Sequence, residues 1–548
     1  MGGTLALAAS IAQLSRADVR RLLDTRRVQT PGSVHDPLGL AIDLLRPESV
    51  SRAIATVDRV GLQALQALTA NGDSVVDPET LDALRMQGLV GRDENTGATV
   101  HLPEVSEALE RALGGDGLLS SDPVVSNHPT DTSRWFGEAL TSVRRAAALL
   151  RVLAAQPPRL SRKGTVTATA VRGLAESTHG GAASTGHLLA VLQLAGLAEP
   201  MAAGRPGSST VVLVTSALAS EWLEQRYPER WLDLAWAFTQ ELDPQVQRTL
   251  DLASGDLELA AGSLLSHEYP LLPASARDAA TDFAATAEVL GLTVHGQLTP
   301  AAMHLFAGDR ASALAVAKQD LPEPVAGVYV QPDLSVVVPG PLMPADEQAL
   351  AEIAETEQLG TAAVMRLTLS SLTRALQHGQ STAAIRAFLT RVSLTGIPQP
   401  LDFMLTDLNR ARWPADAHAR PGDEWVSDGR ARATAARDAA AANPRRVTAA
   451  PTFETARDVA AELDALADRV FQATQAASGA GDLSRKLELA IRDKSPVQVT
   501  AASGSDERTF ILLPVALTGG RLRATDQVAG VERTLPLSAI VAVAPVPA

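Results

Sequence analysis

The stretch LPEPVAGVYVQPDLSVVVPGPL, residues 321–342, carries the clearest local pattern in the chain. Two β-branched runs, at 328–330 and 334–338, are long enough for strands, and Gln331-Pro332-Asp333 between them is a turn. The Pro-Gly-Pro triplet at 339–341 ends the second strand, because proline cannot donate to a strand ladder. The stretch therefore predicts a β-hairpin.

The residues after this hairpin predict helices around a third strand. Pro344 opens the first helix at a position where its missing N–H costs nothing. Two later helices begin with serine, and the first of them ends at Gly379. In order, the segments are PADEQALAEIAETEQLG (344–360), the strand-like AVMRLTL (363–369), SSLTRALQHG (370–379), STAAIRAFLTRVS (381–393) and IPQPLDFMLTDLNR (397–410). Residues 321–410 thus form a predicted ββαβαα module, with a further helical segment at its end.

The same residues support a family resemblance. VYVQPDLSVVVPGPL, the acidic helix, and RALQHGQSTAAIRAFLTRVSLTGIPQPLDFMLTDL resemble the helicase-associated module of actinobacterial proteins. That module is related to the N-terminal, damage-recognition-like region of XPB-type DNA repair helicases. The resemblance implies a role beside such a helicase.

Composition limits the classes of function. A chain of 548 residues is long enough for several domains. Its net charge of −14 argues against a surface coated for nucleic acid, so any DNA contact must be local. The absence of cysteine excludes disulfides and cysteine-ligated metal centres. No Lys or Arg precedes the short apolar run at the start, so a cytoplasmic protein without membrane contact is expected.

The N-terminal region predicts helices, and it too resembles the helical region of the same helicase-associated proteins. LSRADVRRLLDTR (14–26) reads as a helix that Ser15 can cap. A basic cluster in and just after this helix is interpreted as a solvated helix face, with a phosphate-binding surface as the alternative. Its members are Arg16, Arg20, Arg21, Arg26 and Arg27.

A helix followed by Gly-Leu and a hairpin occurs three times, at DPETLDALRMQGLVGRDENTGATVHL (77–102), at 185–215 and at 283–308. Helix, strand, turn and strand is the order of a winged helix. The three Gly-Leu pairs begin at Gly88, Gly196 and Gly291. We therefore expect an array of about three related modules.

The C-terminal part changes character. Residues 411–481 are predicted as a polar, alanine-rich linker followed by one amphipathic helix, FETARDVAAELDALADRVFQATQAA. Residues 482–548 predict a helix and about five strands, which resemble the WYL domain, a small Sm-like barrel of bacterial regulators linked to DNA damage. The Trp-Tyr-Leu triplet is absent, and Val497, Gln498, Val499 and Thr500 stand where that family carries ligand contacts.

No motif for nucleotide hydrolysis is found. A phosphate-binding loop needs GxxxxGK[ST], and SRKGTVT (161–167) has a single Gly after its Lys and no Gly-rich loop before it. The acidic run at 92–95 falls in a predicted hairpin turn. The histidines are scattered singly. The chain is therefore predicted not to be an enzyme, with no cofactor and no metal.

One basic segment stands out in this acidic chain. Residues 139–175 contain no Asp or Glu, and their cations could neutralise DNA phosphates. The alternative is that the first three cations solvate a helix or pair with acids elsewhere. The candidate DNA contacts are Arg144, Arg145, Arg151, Arg159, Arg162, Lys163 and Arg172.

The sequence as a whole predicts an α+β, multi-domain, mainly helical protein with winged-helix-like units, the helicase-associated module and a small C-terminal β-barrel. The predicted domains are 1–120 (helical region with the first winged unit), 135–225 (second unit), 226–320 (helical region with a reduced third unit), 321–410 (module), 411–481 (linker and helix) and 482–548 (barrel). The predicted function is non-catalytic DNA binding beside an XPB-type helicase in DNA repair. A WYL-type ligand-responsive regulator and a protein adaptor without DNA contact are the alternatives.

Overall fold

The computed structural model describes residues 2–26, 28, 31–70, 76–93, 96–114, 131–162, 164–203, 210–410, 453–476, 480–492, 494–503 and 506–545. These residues form a mainly helical α+β protein with small antiparallel sheets, in agreement with the predicted class. None of the helices among them is long and apolar enough to cross a membrane.

The elements up to residue 320 are mostly short helices. They are α1 (Gly2–Ile11), α2 (Arg16–Thr25), α3 (Pro37–Leu44), α4 (Pro47–Ala55), α5 (Arg59–Ala70), α6 (Pro78–Met86), β1 (Val90–Arg92), β2 (Thr99–His101), α7 (Pro103–Leu113), α8 (Phe136–Ala155), α9 (Ala168–Ser177), α10 (Ala182–Leu194), β3 (Ala198–Ala202), β4 (Val211–Thr215), α11 (Ala217–Glu224), α12 (Tyr227–Thr239), α13 (Pro244–Leu252), α14 (Leu257–Leu259), α15 (Leu265–Glu268), α16 (Ala274–Val289), β5 (Thr293–Val294), β6 (Gln297–Leu298), α17 (Pro300–Phe306) and α18 (Arg310–Asp320).

The remaining elements hold the two larger sheets. They are β7 (Tyr329–Val330), β8 (Ser335–Val338), α19 (Pro344–Ile353), β9 (Glu355–Gln358), β10 (Ala363–Arg366), α20 (Leu369–Gln377), α21 (Thr382–Val392), α22 (Gln399–Arg410), α23 (Phe453–Ala476), α24 (Ala480–Arg492), β11 (Val497–Ser503), β12 (Asp506–Thr518), β13 (Arg521–Asp526), β14 (Glu532–Pro536) and β15 (Ile540–Pro545).

The chain divides into two compact units. The first comprises Met1–Pro123, Leu265–Ala276 and Ala450–Ala548, and the second comprises Val124–Leu264 and Arg277–Ala449. The predicted boundary near residue 120 lies close to the first break between them. The C-terminal segments, in contrast, belong to the same unit as the N-terminal helices.

In the first unit, helix α23 completes the core of the N-terminal helices. Leu466, Ala467 and Val470 are fully buried in the same hydrophobic cluster as Leu22 and Leu44. The predicted helix after the linker is therefore confirmed, and it is an integral part of the N-terminal core. Its amphipathic pattern fits this role, since an apolar stripe must pack against another element.

The basic cluster of α2 is only partly a solvated face. Arg16 and Arg21 are exposed, and Arg16 donates a hydrogen bond to Asp468 at 3.0 Å. Arg20 is half-buried and forms an ion pair with Asp464 at 2.9 Å. Arg26 is only 3% exposed and donates to the carbonyls of Gln87 (2.7 Å) and Leu44 (2.5 Å). Burial, helped by nearby Arg52, lowers the Arg26 pKa to about 10. The interpretation as a solvated face was therefore wrong for Arg20 and Arg26. Arg27 lies outside the described residues.

The C-terminal sheet has five strands, as predicted. Its order is β14-β13-β12-β11-β15, and the apolar side chains of α24 pack with those of β11 and β12. The long strand β12 pairs with β11 through its first half and with β13 through its second half, with a register shift between Pro514 and Ala516. Within the described residues β14 and β15 are the two edges and do not pair, so the predicted barrel is not closed.

The three Gly-Leu junctions have the same backbone geometry, although the first lies in the first unit and the other two lie in the second. Gly88, Gly196 and Gly291 have φ values of 64°, 68° and 70°. In each case the following leucine donates its N–H to the carbonyl five residues earlier, at 2.8 to 3.0 Å, as in a Schellman helix end. A two-stranded hairpin follows each time: β1-β2, β3-β4 and β5-β6.

The second unit concentrates the scarce aromatic residues in its core. Trp135, Trp222 and Trp231 are fully buried, and the rings of Trp135 and Trp231 lie 4.9 Å apart. Each indole N–H has an acceptor, as buried tryptophans require: Asp320 for Trp135 (2.9 Å), the Arg230 carbonyl for Trp222 (3.0 Å) and the Leu290 carbonyl for Trp231 (2.7 Å).

The module at 321–410 is a four-stranded antiparallel sheet, in the order β7-β8-β10-β9, with helices α19 to α22. The predicted hairpin, the serine cap at Ser381 and the helix end at Gly379 (φ 89°) are all present. The predicted first helix, however, ends at Ile353, and Glu355–Gln358 forms strand β9. Glu and Gln favour helices, but pairing with β10 outweighs that local preference.

Candidate nucleic-acid interface

Helix α8 carries the first three predicted DNA contacts, and the structure gives them different surroundings. Arg144 is 5% exposed. Its guanidinium donates to the carbonyls of Gly340 (2.5 Å), Gly360 (2.6 Å) and Thr361 (2.8 Å). These carbonyls lie in two loops of the 321–410 module. Arg144 therefore ties α8 to that module, and its donors are used by protein acceptors.

Arg151 also has a protein partner. Its Nη2 lies 3.4 Å from Oε1 of Glu347 in α19, while the fully buried Arg230 donates to Oε2 of the same carboxylate at 2.8 Å. Burial raises the pKa of Glu347, but the two arginines outweigh it, so the pKa lies below the ordinary value. The carboxylate is charged and balances these cations. Sequence patterns did not single out Arg230, because its partner lies more than one hundred residues away.

A small cavity lies beside this ion pair. It measures about 40 Å³, and Arg144, Arg151, Tyr227 and Glu347 are among its lining residues. Burial and the charge of Glu347 raise the pKa of the Tyr227 hydroxyl to about 12. Most of the other lining residues of the cavity are apolar, among them Val338 and Leu350, and its volume is about that of a single water molecule. It is a structural site in a packed interior.

The other predicted contacts surround one turn. Arg159 and Arg162 are exposed at the end of α8, where Leu160 pairs with Val166 across the tight turn 161–165. Arg172 is exposed on α9, and its Nε donates to the carbonyl of Ala168 at 3.3 Å. Within the described part of the chain none of these three arginines has an acidic partner. These three exposed arginines lie on consecutive segments of the chain and are here called the α9 arginine surface. Lys163 lies outside the described residues.

The α9 arginine surface belongs to a segment of helices that ends in a β-hairpin. Helix α8 is followed by a short extended segment that pairs with β4 through the Arg159–Val212 bridge, and then by α9, α10 and the β3-β4 hairpin. Helix α10 has no Asp, Glu, Lys or Arg, and its Thr185, Leu188 and Leu192 face the interior. The arginines of this region thus lie on the turn and on α9, which also carries Glu176.

Arg145 is intermediate between the buried Arg144 and the exposed Arg159, Arg162 and Arg172. It is half-buried, its Nε is buried, and that atom has no hydrogen-bond partner among the described residues. It points to the turn before α10, where its Nε would lie 3.9 Å from a Cβ built on Gly180.

A surface groove lies elsewhere, between α21 and α22. Its volume is about 590 Å³, and Thr382, Arg386, Thr406 and Asn409 help to line it. Arg386 is paired with Asp402, so the groove offers no free cation from this side chain. Across the described residues, no three His, Asp or Glu side chains come together as metal ligands.

Residues 328–412 match the family described as helicase conserved C-terminal domain. No curated protein matches the chain. The matched residues include the strands β7 to β10 and the helices α19 to α22, so this part of the chain is a helicase-associated region.

Proposed function

We propose that this protein binds nucleic acid without hydrolysing nucleotides and acts beside a helicase of the XPB type in DNA repair. The observation that carries the proposal is the α9 arginine surface, three exposed arginines without acidic partners in a chain of net charge −14. The helicase family match at 328–412 supports the connection to a helicase. The lack of a GxxxxGK[ST] loop in the sequence supports a non-catalytic role.

The arrangement of residues 136–215 supports the same proposal. One helix, a short strand, two helices and a hairpin is the order of a winged helix, in which the second helix of the pair faces DNA. Here that helix is α10, which lacks charged residues. We infer that affinity comes from phosphate contacts beside α10, with little direct base readout. The hairpins β1-β2 and β5-β6 would be related units without this charge.

The test is fluorescence anisotropy of labelled duplex, single-stranded and forked DNA at several salt concentrations. Changing Arg159, Arg162 and Arg172 together to Glu is expected to abolish binding at moderate salt. Changing them to Ala is expected to reduce the slope of log K against log salt by about three, since each phosphate contact contributes about 0.9. A wild-type protein that fails to bind any of these DNAs at low salt contradicts the proposal.

A matched control carries the same change in net charge on other surfaces. Arg21, Arg374 and Arg410 are exposed arginines that each have an acidic neighbour within 4 Å. Their joint change to Glu alters the total charge equally. We expect it to leave most of the affinity, because local contacts and not total charge determine binding.

An adaptor role is a second candidate. The burial of Arg144 and the pairing of Arg151 leave fewer free cations on α8, and the 321–410 module exposes Tyr329, Leu394 and Phe403. A contiguous patch of such side chains would mark a protein interface. In this case Tyr329→Ser and Phe403→Ser would weaken binding to a purified XPB-type helicase, whereas Leu252→Ser, at another exposed apolar position, would not.

A further inference from the structure

The sheet of the 321–410 module has two faces of different character. One face belongs to a single hydrophobic cluster with side chains of α19 to α22, and its strand residues are at most 4% exposed: Val328, Val330, Val336 and Val338. Because successive side chains of a strand point to opposite faces, the residues between these valines point to the other side. We call that side the outer face.

Apolar side chains form a row across the outer face. In the register of the sheet, Tyr329 of β7 lies opposite Val337 of β8, and Val337 lies opposite Val364 of β10. Residues that are directly opposite on neighbouring strands have adjacent side chains on the same face, so these three side chains are contiguous. Tyr329 is 44% exposed, and the two valines are half-buried.

Leu394 extends this row past β7. The chain after α21 runs parallel to β7 through the bridge between Val328 and Ser393, and the Leu394 N–H donates to the Val328 carbonyl at 2.8 Å. A Cβ built on Gly327 would lie 3.2 Å from Cγ of Leu394, and Gly327 is two residues from Tyr329, on the same face. Leu394 is 52% exposed. The four side chains are here called the outer row: Leu394, Tyr329, Val337 and Val364.

The edge of the sheet limits how the outer row can be covered. The segment that carries Leu394 already occupies the edge of β7, and there the Val330 N–H donates to Oγ1 of Thr395 at 3.0 Å. An added strand therefore cannot pair with β7, and a strand laid on the face would leave its own backbone groups without partners. A helix satisfies its backbone internally and can bury an apolar stripe on a sheet face.

The outer row is too small to hold two copies of this chain together. A stable interface buries about 800 Å² on each partner and involves about 20–30 residues a side. The row offers four side chains, of which Val337 and Val364 are already half-buried. A surface of this size matches the apolar stripe of one amphipathic helix, whose anchors recur every three or four residues.

Charges at one end of the outer row select the chemistry of such a helix. Arg366 lies on the outer face of β10 and forms ion pairs with Glu357 and Asp333. Glu355, opposite Arg366 on β9, lies 3.8 Å from Arg374. Three carboxylates for two guanidinium groups leave this edge negative, and 60% of the Asp333 side chain is exposed. A lysine or arginine beside the apolar stripe would complement this edge.

We propose that the outer row is the docking site for one amphipathic helix of a partner helicase, and that this helix carries a lysine or arginine beside its apolar stripe. The inference rests on the proposed function, which places a helicase beside this protein. The four apolar side chains bury the stripe, and the negative edge fixes the direction of the helix. The arginines proposed for DNA contact lie on other elements, so the two contacts can be tested separately.

The first test is the affinity of the full-length protein for a purified XPB-type helicase, measured by titration calorimetry without DNA. We expect Tyr329→Ser and Leu394→Ser each to weaken binding about tenfold, because each removes an apolar anchor from the contact. Leu252→Ser, at another exposed apolar position, is the matched control and should bind as the wild type does. All three side chains are exposed, so the melting temperatures should stay unchanged.

The charge of the negative edge is tested with the double variant Asp333→Asn and Glu357→Gln. We expect it to weaken helicase binding about threefold at low salt and to have little effect at high salt, where exposed charges are screened. The matched control is Asp82→Asn with Asp407→Asn, which changes two other exposed carboxylates, each beside an arginine. An equal loss in both double variants would overturn the proposed charge complementarity.

A photo-reactive benzoylphenylalanine in place of Tyr329 identifies what covers the outer row. We expect a cross-link to a helicase peptide with helical apolar spacing and a flanking lysine or arginine, and none from the same group in place of Leu252. A helicase complex that Tyr329→Ser and Leu394→Ser leave unchanged would overturn the docking site while leaving the proposed function intact.

The remaining outcomes also decide between occupants. If no complex with the helicase forms, both this inference and the helicase part of the proposed function are rejected, while DNA binding is judged by anisotropy. Cross-links from position 329 to another segment of this chain, or to a second copy in a dimer seen by sedimentation, would replace the helicase helix as the occupant and overturn the inference.

Discussion

At the scale of single residues, Glu347 is the acid on which two cations of the second unit depend. Replacing it by Gln leaves the fully buried Arg230 without a carboxylate. Removing one partner of a buried ion pair costs about 3–5 kcal/mol, because an uncompensated charge remains. We therefore expect Glu347→Gln to lower the free energy of unfolding by that amount at pH 7, measured by urea denaturation. An unchanged value would show that Arg230 is satisfied by its carbonyl partners alone.

The same carboxylate predicts a pH dependence. The pKa of Glu347 is lowered in the folded protein from its ordinary value of 4.5. Its contribution to stability is therefore present above pH 4.5 and is lost as the pH falls through the folded pKa. The stability difference between wild type and Glu347→Gln should shrink as the pH falls below 4.5. Urea denaturation at pH 7 and at acid pH, on both proteins, measures it.

Arg144 shows that a cation in a basic segment can act as a structural donor. Arg144→Met would leave three carbonyl groups without their donor, and the Gly340 carbonyl among them is buried. We expect a loss of about 1–3 kcal/mol in unfolding free energy, the cost of one buried unsatisfied group. The exposed Arg172→Met should change stability by less than about 0.5 kcal/mol but weaken DNA binding. If Arg144→Met is as stable as the wild type, those carbonyls are solvated.

At the scale of elements, the third hairpin depends on close contact between α8 and the Gly291 junction. A Cβ on Gly291 would lie 2.8 Å from the Ala139 nitrogen and 3.0 Å from the Trp135 carbonyl oxygen, and its φ is 70°. Both the backbone conformation and the space require glycine. Gly308 also has a positive φ, 78°, but open space around it.

Alanine variants of Gly291 and Gly308 distinguish the cost of backbone strain from the cost of a steric clash. Gly308→Ala is expected to cost about 1 kcal/mol, through backbone strain alone. Gly291→Ala should cost clearly more, because α8 must also move. Thermal melting of both variants provides the comparison. Equal losses would mean that α8 can shift without cost.

We expect the N-terminal core to depend on helix α23 for its stability. Val470→Asp places a charge in the fully buried position beside Leu466, whereas Ala465→Asp changes an exposed position of the same helix. The first change should remove hydrogen-exchange protection from α2 and α3 but not from α19 to α22. The second should have little effect. Loss of protection in both sets of helices after Val470→Asp would contradict separate cores.

At the scale of the whole molecule, the two units have their own hydrophobic cores. We expect calorimetry of the wild type to show two transitions. Glu347→Gln should lower the transition of the second unit, and Val470→Asp that of the first. A single transition that both variants shift equally would show that the units unfold together.

The acidic character of the whole chain would limit the proposed affinity for nucleic acid. With a net charge of −14, the proposed association would depend on a small number of exposed cations and would weaken as salt rises. The arginines proposed for this contact belong to the segment from α8 to α9.

The sequence by itself determined the elements whose causes are local. The hairpin at 328–338, the cap at Ser381 and the Gly-Leu helix ends follow from residue types within a few positions of one another. Turn chemistry, capping and apolar periodicity act over such distances, so they can be read in order along the chain.

Only the tertiary structure decided what depends on partners distant in the chain. The pairing of β9 with β10, the open edges of the C-terminal sheet and the place of α23 in the N-terminal core were not visible in the sequence. The same holds for the basic segment, in which Arg144 is buried while Arg159 remains exposed. The sequence shows which residues are charged. Long-range packing determines how deeply each charge is buried and which acceptor lies nearest, and so which cations are free to bind a ligand.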